Sequence, residues 1–244
     1  TAPTVVFNPP NGAENISVVN SFINKSVGIA IYLQSSATNC LIENNFIIAP
    51  QYAILLSSDA DKNTLLNNNL SSGYSIFDSS GSDTINYLVY NNSFGELRWN
   101  NESNSSFLEN LTLIGDIGLG ENLWIQNNSI ELNTNAFSNS LINSSAQLSW
   151  YGFDGIINPV VYEDGDGCQD CSQVSNDTGY YYASVSHFTN YSVQADATPL
   201  VFATVPADDS TQSVGSSITI SANVTDDFAV DSVKVNITLN NGTI

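Results

Sequence analysis

The stretch ISVVNSFI at residues 16–23 decides the fold, because variants of it return at a fixed spacing. It reappears as CLIENNFI at residues 40–47, as TLLNNNLS at residues 64–71 and as LVYNNSFG at residues 88–95, each copy 24 residues after the last. Apolar and polar residues alternate in these short runs, which is typical of strands with one buried face. Clusters of Asn, Ser, Gly and Asp end the runs as turns do. A constant period in this range indicates a solenoid.

Aligning the copies places similar residues in columns, which predict stacked side chains in a parallel β-helix with coils about 4.8 Å apart. The columns are Ser17, Leu41, Leu65 and Val89; Val18, Ile42, Leu66 and Tyr90; Asn20, Asn44, Asn68 and Asn92; and Phe22, Phe46, Leu70 and Phe94. We expect the Phe22 column to form an inward apolar ladder. We expect the Asn20 column to form an amide ladder at a turn, because Asn bonds along a stack and tolerates left-handed backbone.

A second echo extends the prediction beyond the four copies. LVYNNSF at residues 88–94 resembles WIQNNSI at residues 124–130, with FLENLTL at residues 107–113 between them. This pattern predicts shorter coils that continue the stack, about six coils in all and roughly 30 Å of height. We therefore predict an all-β chain with a right-handed parallel β-helix over residues 1–145.

The repeats at residues 15–130 resemble the parallel β-helix repeat family, which includes periplasmic copper-maturation proteins, carbohydrate-binding and sugar-hydrolase domains and many archaeal surface proteins. The resemblance is specific for fold and unspecific for function. Residues 146–196 then resemble a segment that closes β-helices in archaeal cell-surface proteins, through a DG-x-C-x-x-C turn and an HF-x-x-Y strand that contains His187, Phe188 and Tyr191. The resemblance implies a β-rich C-terminal cap over residues 146–196, which would cover an otherwise exposed solenoid end.

Composition excludes several function classes. The chain has 244 residues, 42% of them hydrophobic, and a formal net charge of -20 from 4 Lys and Arg against 24 Asp and Glu. This balance argues against nucleic acid and anionic membrane surfaces, whose recognition needs basic residues. No apolar run is long enough to span a bilayer, and the start lacks a signal-peptide pattern. Because the chain contains no Met, we expect a processed protein or a piece of a longer one, in which an anchor could follow Ile244.

Fourteen Asn-x-Ser/Thr sequons predict an exported glycoprotein with N-linked glycans. They are Asn15, Asn24, Asn69, Asn91, Asn101, Asn104, Asn110, Asn127, Asn143, Asn176, Asn190, Asn223, Asn236 and Asn241. Random placement of the chain's 33 Asn and 50 Ser and Thr would give about 7 sites, half the observed number. The alternative is that Asn-rich turns beside Ser and Thr create sequons incidentally.

Cys168 and Cys171 form a C-x-x-C pair with three interpretations. A disulfide that closes the loop is favoured in an exported chain. A zinc site needs further ligands, for which Cys40 and His187 are the remaining soft partners, but the position of Cys40 in the repeat predicts a small buried residue. A redox motif would need a thioredoxin-like context. Asp164, Asp166 and Asp170 could bind calcium, although their spacing does not match an EF-hand and a solvated acidic turn is favoured.

Residues 197–244 resemble the first half of an immunoglobulin-like module, through a Thr198-Pro199 start, a turn at Pro206 and the strands SITISANVTDD and VDSVKVNITL. Half a β-sandwich leaves an open sheet, so we expect either that the chain continues beyond Ile244 or that another chain completes the module. The start of the chain, TAPTVVFNPPNG, parallels ATPLVFATVPAD at residues 197–208. It could therefore be a donor strand for a second subunit. Alternatively, it simply begins the first coil.

No catalytic constellation is predicted. Asp59 and Asp83 form a single vertical carboxylate pair, in a turn, whereas glycoside chemistry needs two carboxyls about 5–10 Å apart on an accessible face. Arg98 is the only Arg, and His187, the only His, is expected to be packed or hydrogen-bonded.

Two functions follow as hypotheses. The first is a structural, non-enzymatic subunit of a glycosylated extracellular assembly at the cell surface, such as an archaeal-type S-layer, a filament or an adhesive fibre, formed by self-association without a required cofactor. The alternative is a carbohydrate-binding or polysaccharide-degrading β-helix. In that case Trp99, Trp124 and Trp150 could stack on sugars, unless they are core residues.

Overall fold

The chain divides into two compact units, Thr1–Ala195 and Asp196–Ile244, and each is described by itself. The structure is a computed structural model. It describes residues 5–7, 13–34, 36–81, 84–99, 111–138, 142–152, 159–177, 180–195, 201–204, 222–225, 238–239 and 242–243. In the described part of the chain the regular secondary structure is β-strand apart from one short 3-10 helix, as the all-β prediction expects.

The described residues of the first unit form three sheets. Its strands are, in chain order, β1 (Val5–Phe7), β2 (Ser17–Val19), β3 (Phe22–Asn24), β4 (Ile29–Leu33), β5 (Leu41–Glu43), β6 (Phe46–Ser57), β7 (Thr64–Leu66), β8 (Asn69–Ser79), β9 (Tyr87–Asn91), β10 (Gly95–Trp99), β11 (Thr112–Leu113), β12 (Leu123–Gln126), β13 (Ser129–Leu132), β14 (Ala146–Tyr151), β15 (Pro159–Glu163), β16 (Asp166–Gly167), β17 (Ser172–Asp177), β18 (Tyr180–Val185) and β19 (Asn190–Ala195). A 3-10 helix spans Thr134–Ala136.

The first part of this unit is a parallel solenoid. Strands β2, β5, β7 and β9 lie side by side in parallel, and β4, β6 and β8 form a second parallel sheet, with β3 beside β6. Ser17 pairs with Leu41, and Leu41 pairs with Thr64. Thr64 in turn pairs with Tyr87, so successive coils advance by 24, 23 and 23 residues. The chain completes about three solenoid turns, consistent with a parallel β-helix.

The coil length changes from 24 to 23 residues after the first coil, so the apolar columns predicted with a constant period are wrong from the third coil onward. The Val18 column continues through Leu65 and Leu88, one and two residues before the expected positions. The predicted inward ladder of Phe22, Phe46, Leu70 and Phe94 is wrong except at Leu70, because successive side chains of a strand point to opposite faces. Phe22, Phe46 and Phe94 are 66%, 38% and 45% exposed, and the inward ladder is instead built by Ile23, Ile47 and Leu70.

The predicted Asn column divides into two structural roles. Asn20, Asn44 and Asn67 occupy successive coil corners with φ of 51°, 53° and 52°, the left-handed conformation that Asn tolerates. The amide ladder is formed one residue later, by buried Asn45 and Asn68. The Asn45 side chain donates to the Asn68 Oδ1, 3.0 Å away. Each ladder amide also donates to a backbone carbonyl of the preceding coil, so the ladder joins neighbouring coils.

A second ladder runs along another corner of the solenoid. Asn63 Oδ1 accepts from the backbone N–H of Cys40 at 2.9 Å, and its Nδ2 donates to Asn86 Oδ1 at 3.0 Å. The ladder ends at the buried carboxylate of Asp78, which accepts from Asn86 Nδ2 at 3.1 Å. Buried amides without partners are costly, so this continuous chain of bonds favours one register of the coils.

The parallel stack ends where the chain reverses at residues 92–94, and the prediction of about six coils is therefore wrong. Strand β10 folds back on β9 as an antiparallel hairpin, and β14, β18 and β17 continue that sheet in antiparallel fashion. Strands β12 and β13 form a second hairpin around Asn127 and Asn128. The resemblance between residues 88–94 and 124–130 thus reflects two hairpins, because Asn-rich turns serve coil corners and hairpins alike.

Aromatic side chains fill the core of the antiparallel part. Trp99 and Trp150 are fully buried, and the Trp99 indole N–H donates to the Ile142 carbonyl at 3.1 Å. The Trp99 ring centroid lies 5.2 Å from that of Phe188, which belongs to the turn between β18 and β19. The core of the solenoid therefore continues without a break into the antiparallel part.

Strand β1, near the start of the chain, lies beside the first coil. Strand β1 pairs in parallel with β4 of the same chain, with Val5 opposite Ile31. This is the arrangement expected of a first coil, and it gives the donor-strand hypothesis no support at residues 5–7.

In the second unit, β20 (Val201–Thr204) pairs with β21 (Ala222–Thr225) and β22 (Thr238–Leu239) pairs with β23 (Gly242–Thr243), both antiparallel. Most of the proposed immunoglobulin-like half-module lies outside the described residues and stays a prediction.

Candidate functional site

The chemically richest part of the first unit is the loop after β15, together with the turn between β18 and β19. Asp164 and Gly165, with φ of 50° and 93°, reverse the chain between β15 and β16. This reversal places Glu163 beside the Cys168–Cys171 loop. The turn after β18 brings Ser186 and His187 to the same place. We call Glu163, Cys168, Asp170, Cys171, Ser186 and His187 the loop cluster.

Cys168 and Cys171 form a disulfide with an S–S distance of 2.04 Å, as the first of the three interpretations expected. Cys40 is remote in sequence and buried in the solenoid, which confirms its expected role as a small core residue. Burial raises the pKa of the Cys40 thiol. Of the two soft partners considered from sequence, the structure places His187 close to the C-x-x-C loop.

His187 lies between two carboxylates. Its Nε2 is 2.8 Å from Glu163 Oε1, and its Nδ1 is 3.5 Å from Asp170 Oδ2. The Ser186 hydroxyl donates to the same Asp170 oxygen. This hydrogen bond and the nearby His187 hold the pKa of Asp170 below its ordinary value. The imidazole is thus oriented from both of its nitrogens.

The distances around Ser186 superficially suggest a nucleophile and base. Its hydroxyl lies 3.1 Å from His187 Nδ1, and His187 contacts Glu163 on its other side. A serine nucleophile must pass its proton to the base, however, and here the hydroxyl donates to Asp170 at 2.5 Å. In this arrangement the group joins the loop after β15 to the turn between β18 and β19. Sequence reasoning missed Ser186, and its position next to His187 was the one available signal.

The three aspartates proposed for calcium do not form one ligand group. Asp164 accepts from the Thr189 hydroxyl and from the Asn190 backbone N–H, and so closes a turn. Among the described residues, the potential ligand atoms that lie within 4.8 Å of one another belong to Cys168, Asp170 and Cys171. The structure therefore favours the acidic-turn interpretation for Asp164 and Asp166.

The proposed sugar-stacking residues are mostly core residues. Trp99 and Trp150 are fully buried, so the prediction that they present rings to a sugar is wrong, and Trp124 is partly buried. Arg98 is paired with Glu96 of its own strand at 3.0 Å. Asp83, the proposed partner of Asp59, lies outside the described residues. A polar cavity of about 190 Å³ does lie beside the loop cluster, lined by Glu131, Asn133, Asn135, Asp164, Thr189 and Asn190 among others.

The described sequons differ in how accessible they are. Asn15, Asn24, Asn127, Asn143 and Asn190 are exposed. The side chains of the other two described sequons are used inside the fold. Asn69 donates to Glu121 and buries its Oδ1, and Asn91 accepts a 2.7 Å hydrogen bond from Asn67. The side chains of Asn101, Asn104, Asn110, Asn176, Asn223, Asn236 and Asn241 lie outside the described residues.

No family model, no curated protein and no solved structure matches the chain. Within the described part of the chain, no helix has the length and apolarity needed to cross a membrane. Functional proposals therefore depend on the geometry above.

Proposed function

We propose that the chain is a structural subunit of a glycosylated extracellular assembly at the cell surface, which it builds by self-association. The observation that supports this most directly is the edge of the first coil. Among the described strands, β2 ends the eight-stranded sheet. Within the first coil, Ile16, Val19, Phe22 and Val27 are 39%, 40%, 66% and 51% exposed. An apolar strand edge of this kind is a template for pairing with another chain.

The opposite edge of the parallel stack is covered by other strands, which supports a subunit whose two ends differ in assembly. There β10 pairs with β9, and the antiparallel strands β14, β18 and β17 follow. We interpret this part as the cap predicted from sequence, since it occupies the edge on which a further coil would grow. One end then stays open for assembly and the other is closed. The second unit would act as the connector to a neighbouring module.

The disulfide and the sequons support an exported location. Disulfides persist mainly in oxidising compartments. In the assembled subunit we expect glycans at Asn127, Asn143 and Asn190. Asn15 precedes β2 and Asn24 ends β3, so glycans there would border the open edge. The proposal therefore expects these two sites to be unmodified in polymers.

Self-association is tested by electron microscopy and sedimentation of the purified full chain and of a Val19→Lys, Phe22→Lys variant. We expect concentration-dependent polymers of the wild type and a monodisperse double variant. Phe94→Lys is a matched control, because Phe94 is also an exposed phenylalanine but lies in the β9–β10 hairpin; it should assemble as the wild type does. A wild type that stays monomeric, or a double variant that assembles equally well, would contradict the proposal.

One observation favours the carbohydrate-binding alternative. The cavity beside Asp164 is lined by carboxylates, amides and a threonine hydroxyl, groups that can hydrogen-bond to sugar hydroxyls. A sugar-array measurement tests it, with Asn135→Ala as the cavity variant, because Asn135 lines the cavity and is not part of a sequon. Binding that this variant abolishes would support a carbohydrate site, whereas an unresponsive array together with polymers would favour the scaffold.

A further inference from the structure

The loop cluster gathers donor atoms that metals prefer from two separate parts of the chain. The two sulfurs and one carboxylate oxygen, from Cys168, Cys171 and Asp170, lie within 4.8 Å of one another. His187 adds a ring nitrogen 3.5 Å from the Asp170 carboxylate. The structural role proposed above does not use this set of donors.

We propose that reduction of the Cys168–Cys171 disulfide turns the loop cluster into a site for a thiophilic divalent cation, with Zn²⁺ as the best fit. The ligands are the two sulfurs, one Asp170 oxygen and His187 Nδ1. Two thiolates, an imidazole and a carboxylate are all ligands that Zn²⁺ takes in tetrahedral sites. In the disulfide form the sulfurs are not thiolates, so the redox state of the loop controls the site.

The chemistry balances with a dithiol as the reductant. One thiolate of the dithiol attacks a sulfur of the Cys168–Cys171 bond, and the resulting mixed disulfide is resolved by the second thiol. The two electrons come from the dithiol, which leaves as its own disulfide, and both cysteines become thiols. Zn²⁺ then displaces the two thiol protons into solvent.

The present spacing of the other donors fits a tetrahedral ion. With Zn–S near 2.3 Å and Zn–N near 2.0–2.1 Å, neighbouring donors lie about 3.4–3.8 Å apart. Asp170 Oδ2 is 3.5 Å from His187 Nδ1, and the second oxygen of the same carboxylate, Oδ1, is 3.4 Å from Cys168 Sγ. A rotation of the carboxylate is therefore needed before one oxygen serves as the ligand. The main change on reduction is that the sulfurs separate to roughly 3.8 Å, which the short C-x-x-C loop allows.

Surrounding residues hold the donors in place. Glu163 Oε1 lies 2.8 Å from His187 Nε2. It would accept a hydrogen bond from the Nε2–H of the neutral imidazole, which leaves Nδ1 free to bind the metal. A carboxylate behind a ligating histidine is a recurrent arrangement in zinc sites. The Cys168 backbone N–H donates to the Val161 carbonyl, and the Tyr191 hydroxyl donates to the His187 carbonyl. Glu163 is thus a positioning residue.

Cobalt titration of the full chain tests the proposal. The protein is reduced with a phosphine, which avoids competing thiols, and Co²⁺ is added without oxygen. We expect one Co²⁺ per chain, with thiolate charge-transfer and tetrahedral d–d absorption that Zn²⁺ displaces, and no such spectrum from the oxidised protein. Glu163→Gln should weaken binding about 10–100-fold, because it disturbs the ligand from behind.

Cys40 supplies the matched control. Cys40→Ala should keep the full cobalt spectrum, whereas Cys168→Ser with Cys171→Ser should abolish it. His187→Gln should remove the tetrahedral signature. A reduced wild type without thiolate–cobalt absorption, or a spectrum that survives the double serine substitution, would overturn the proposal. Circular dichroism of each variant separates loss of the site from loss of the fold.

Discussion

Replacing Asn45 with alanine tests how strongly the amide ladder stabilises the solenoid. The Asn45 side chain is 2% exposed and makes three hydrogen bonds. Its Oδ1 accepts from the Ser21 N–H at 2.9 Å, and its Nδ2 donates to the Val18 carbonyl at 2.9 Å and to Asn68 Oδ1 at 3.0 Å. These bonds link three successive coils.

At about 1 kcal/mol of net stability for each hydrogen bond, Asn45→Ala should lower the free energy of unfolding by about 3 kcal/mol. The Val18 carbonyl lies near the open edge, where water can replace the lost donor. We therefore add no full desolvation cost for an unpaired carbonyl. Urea unfolding followed by tryptophan fluorescence measures the effect on the first unit, which contains all 3 tryptophans of the chain. For a slope of about 2 kcal/mol/M, the midpoint should fall by about 1.5 M.

Asn44 provides the matched control in the same turn. It is exposed, has φ of 53° and makes one weak side-chain hydrogen bond, 3.3 Å long, to Glu43. Asn44→Gly keeps the left-handed conformation accessible and should change stability by less than about 0.5 kcal/mol. The reasoning fails if Asn45→Ala costs less than about 1 kcal/mol, or if Asn44→Gly costs as much as Asn45→Ala.

Three further predictions concern packing and pH. Gly95→Ala should destabilise the first unit by about 2 kcal/mol or more in urea unfolding, because a Cβ there would collide with the Ser149 carbonyl across the β10–β14 pair. Partial burial raises the pKa of Asp61, but the hydrogen bond from the Ile85 N–H and the neighbouring Lys62 outweigh it, so this pKa lies below its ordinary value. Asp61 should therefore add stability above about pH 4 that is lost as the pH falls through its folded-state pKa, and the stability difference between Asp61→Asn and wild type should shrink on acidification. Burial raises the pKa of Tyr181 to about 12, so its contribution should be complete below about pH 10 and vanish as the pH rises through 12; Tyr181→Phe should reduce alkaline unfolding over that interval.

The sequence predicts the stacked strands well but not their full register. The alternation in residues 16–23 and 40–47 gives the first coils, because strand periodicity is a local property. The 23-residue spacing is already present where Ile29 pairs with Tyr52. The run Asn67, Asn68 and Asn69 hides it, because three identical residues do not show which one occupies the left-handed corner. Only long-range pairing resolves it.

The sequence does not predict where the parallel stack ends, for a related reason. Asn92 begins a hairpin turn, and its Oδ1 accepts from the Phe94 N–H at 2.8 Å. The same Asn-Asn-Ser letters suit a coil corner and a reversal of the chain, so local turn chemistry cannot tell parallel from antiparallel continuation. The direction is set by the aromatic core, in which Trp99 packs against Phe188 from the far end of the unit.

The candidate site was predictable as individual residues but not as a group. The C-x-x-C spacing leaves three interpretations open, and the expectation of an exported chain favours the Cys168–Cys171 disulfide among them; His187 is a remaining soft ligand in the sequence. The two cysteines and His187 lie close together because the turn between β18 and β19 packs against the loop after β15. No local sequence pattern predicts that long-range contact. Glu163 acquires its role behind the imidazole only through this contact.

The ladders also determine how a protein of this kind can change its length. Asn45 accepts on its Oδ1 from the preceding coil and donates through its Nδ2 to Asn68 Oδ1 of the next coil, and Asn63 does the same with Asn86. A duplicated block of 23 residues would therefore find its bonding partners already in place and add about 4.8 Å to the rod. An insertion that is not a whole number of coils would misalign both ladders at once. Growth by whole coils therefore leaves the core intact. The ladder amides supply the hydrogen bonds that each duplicated coil needs.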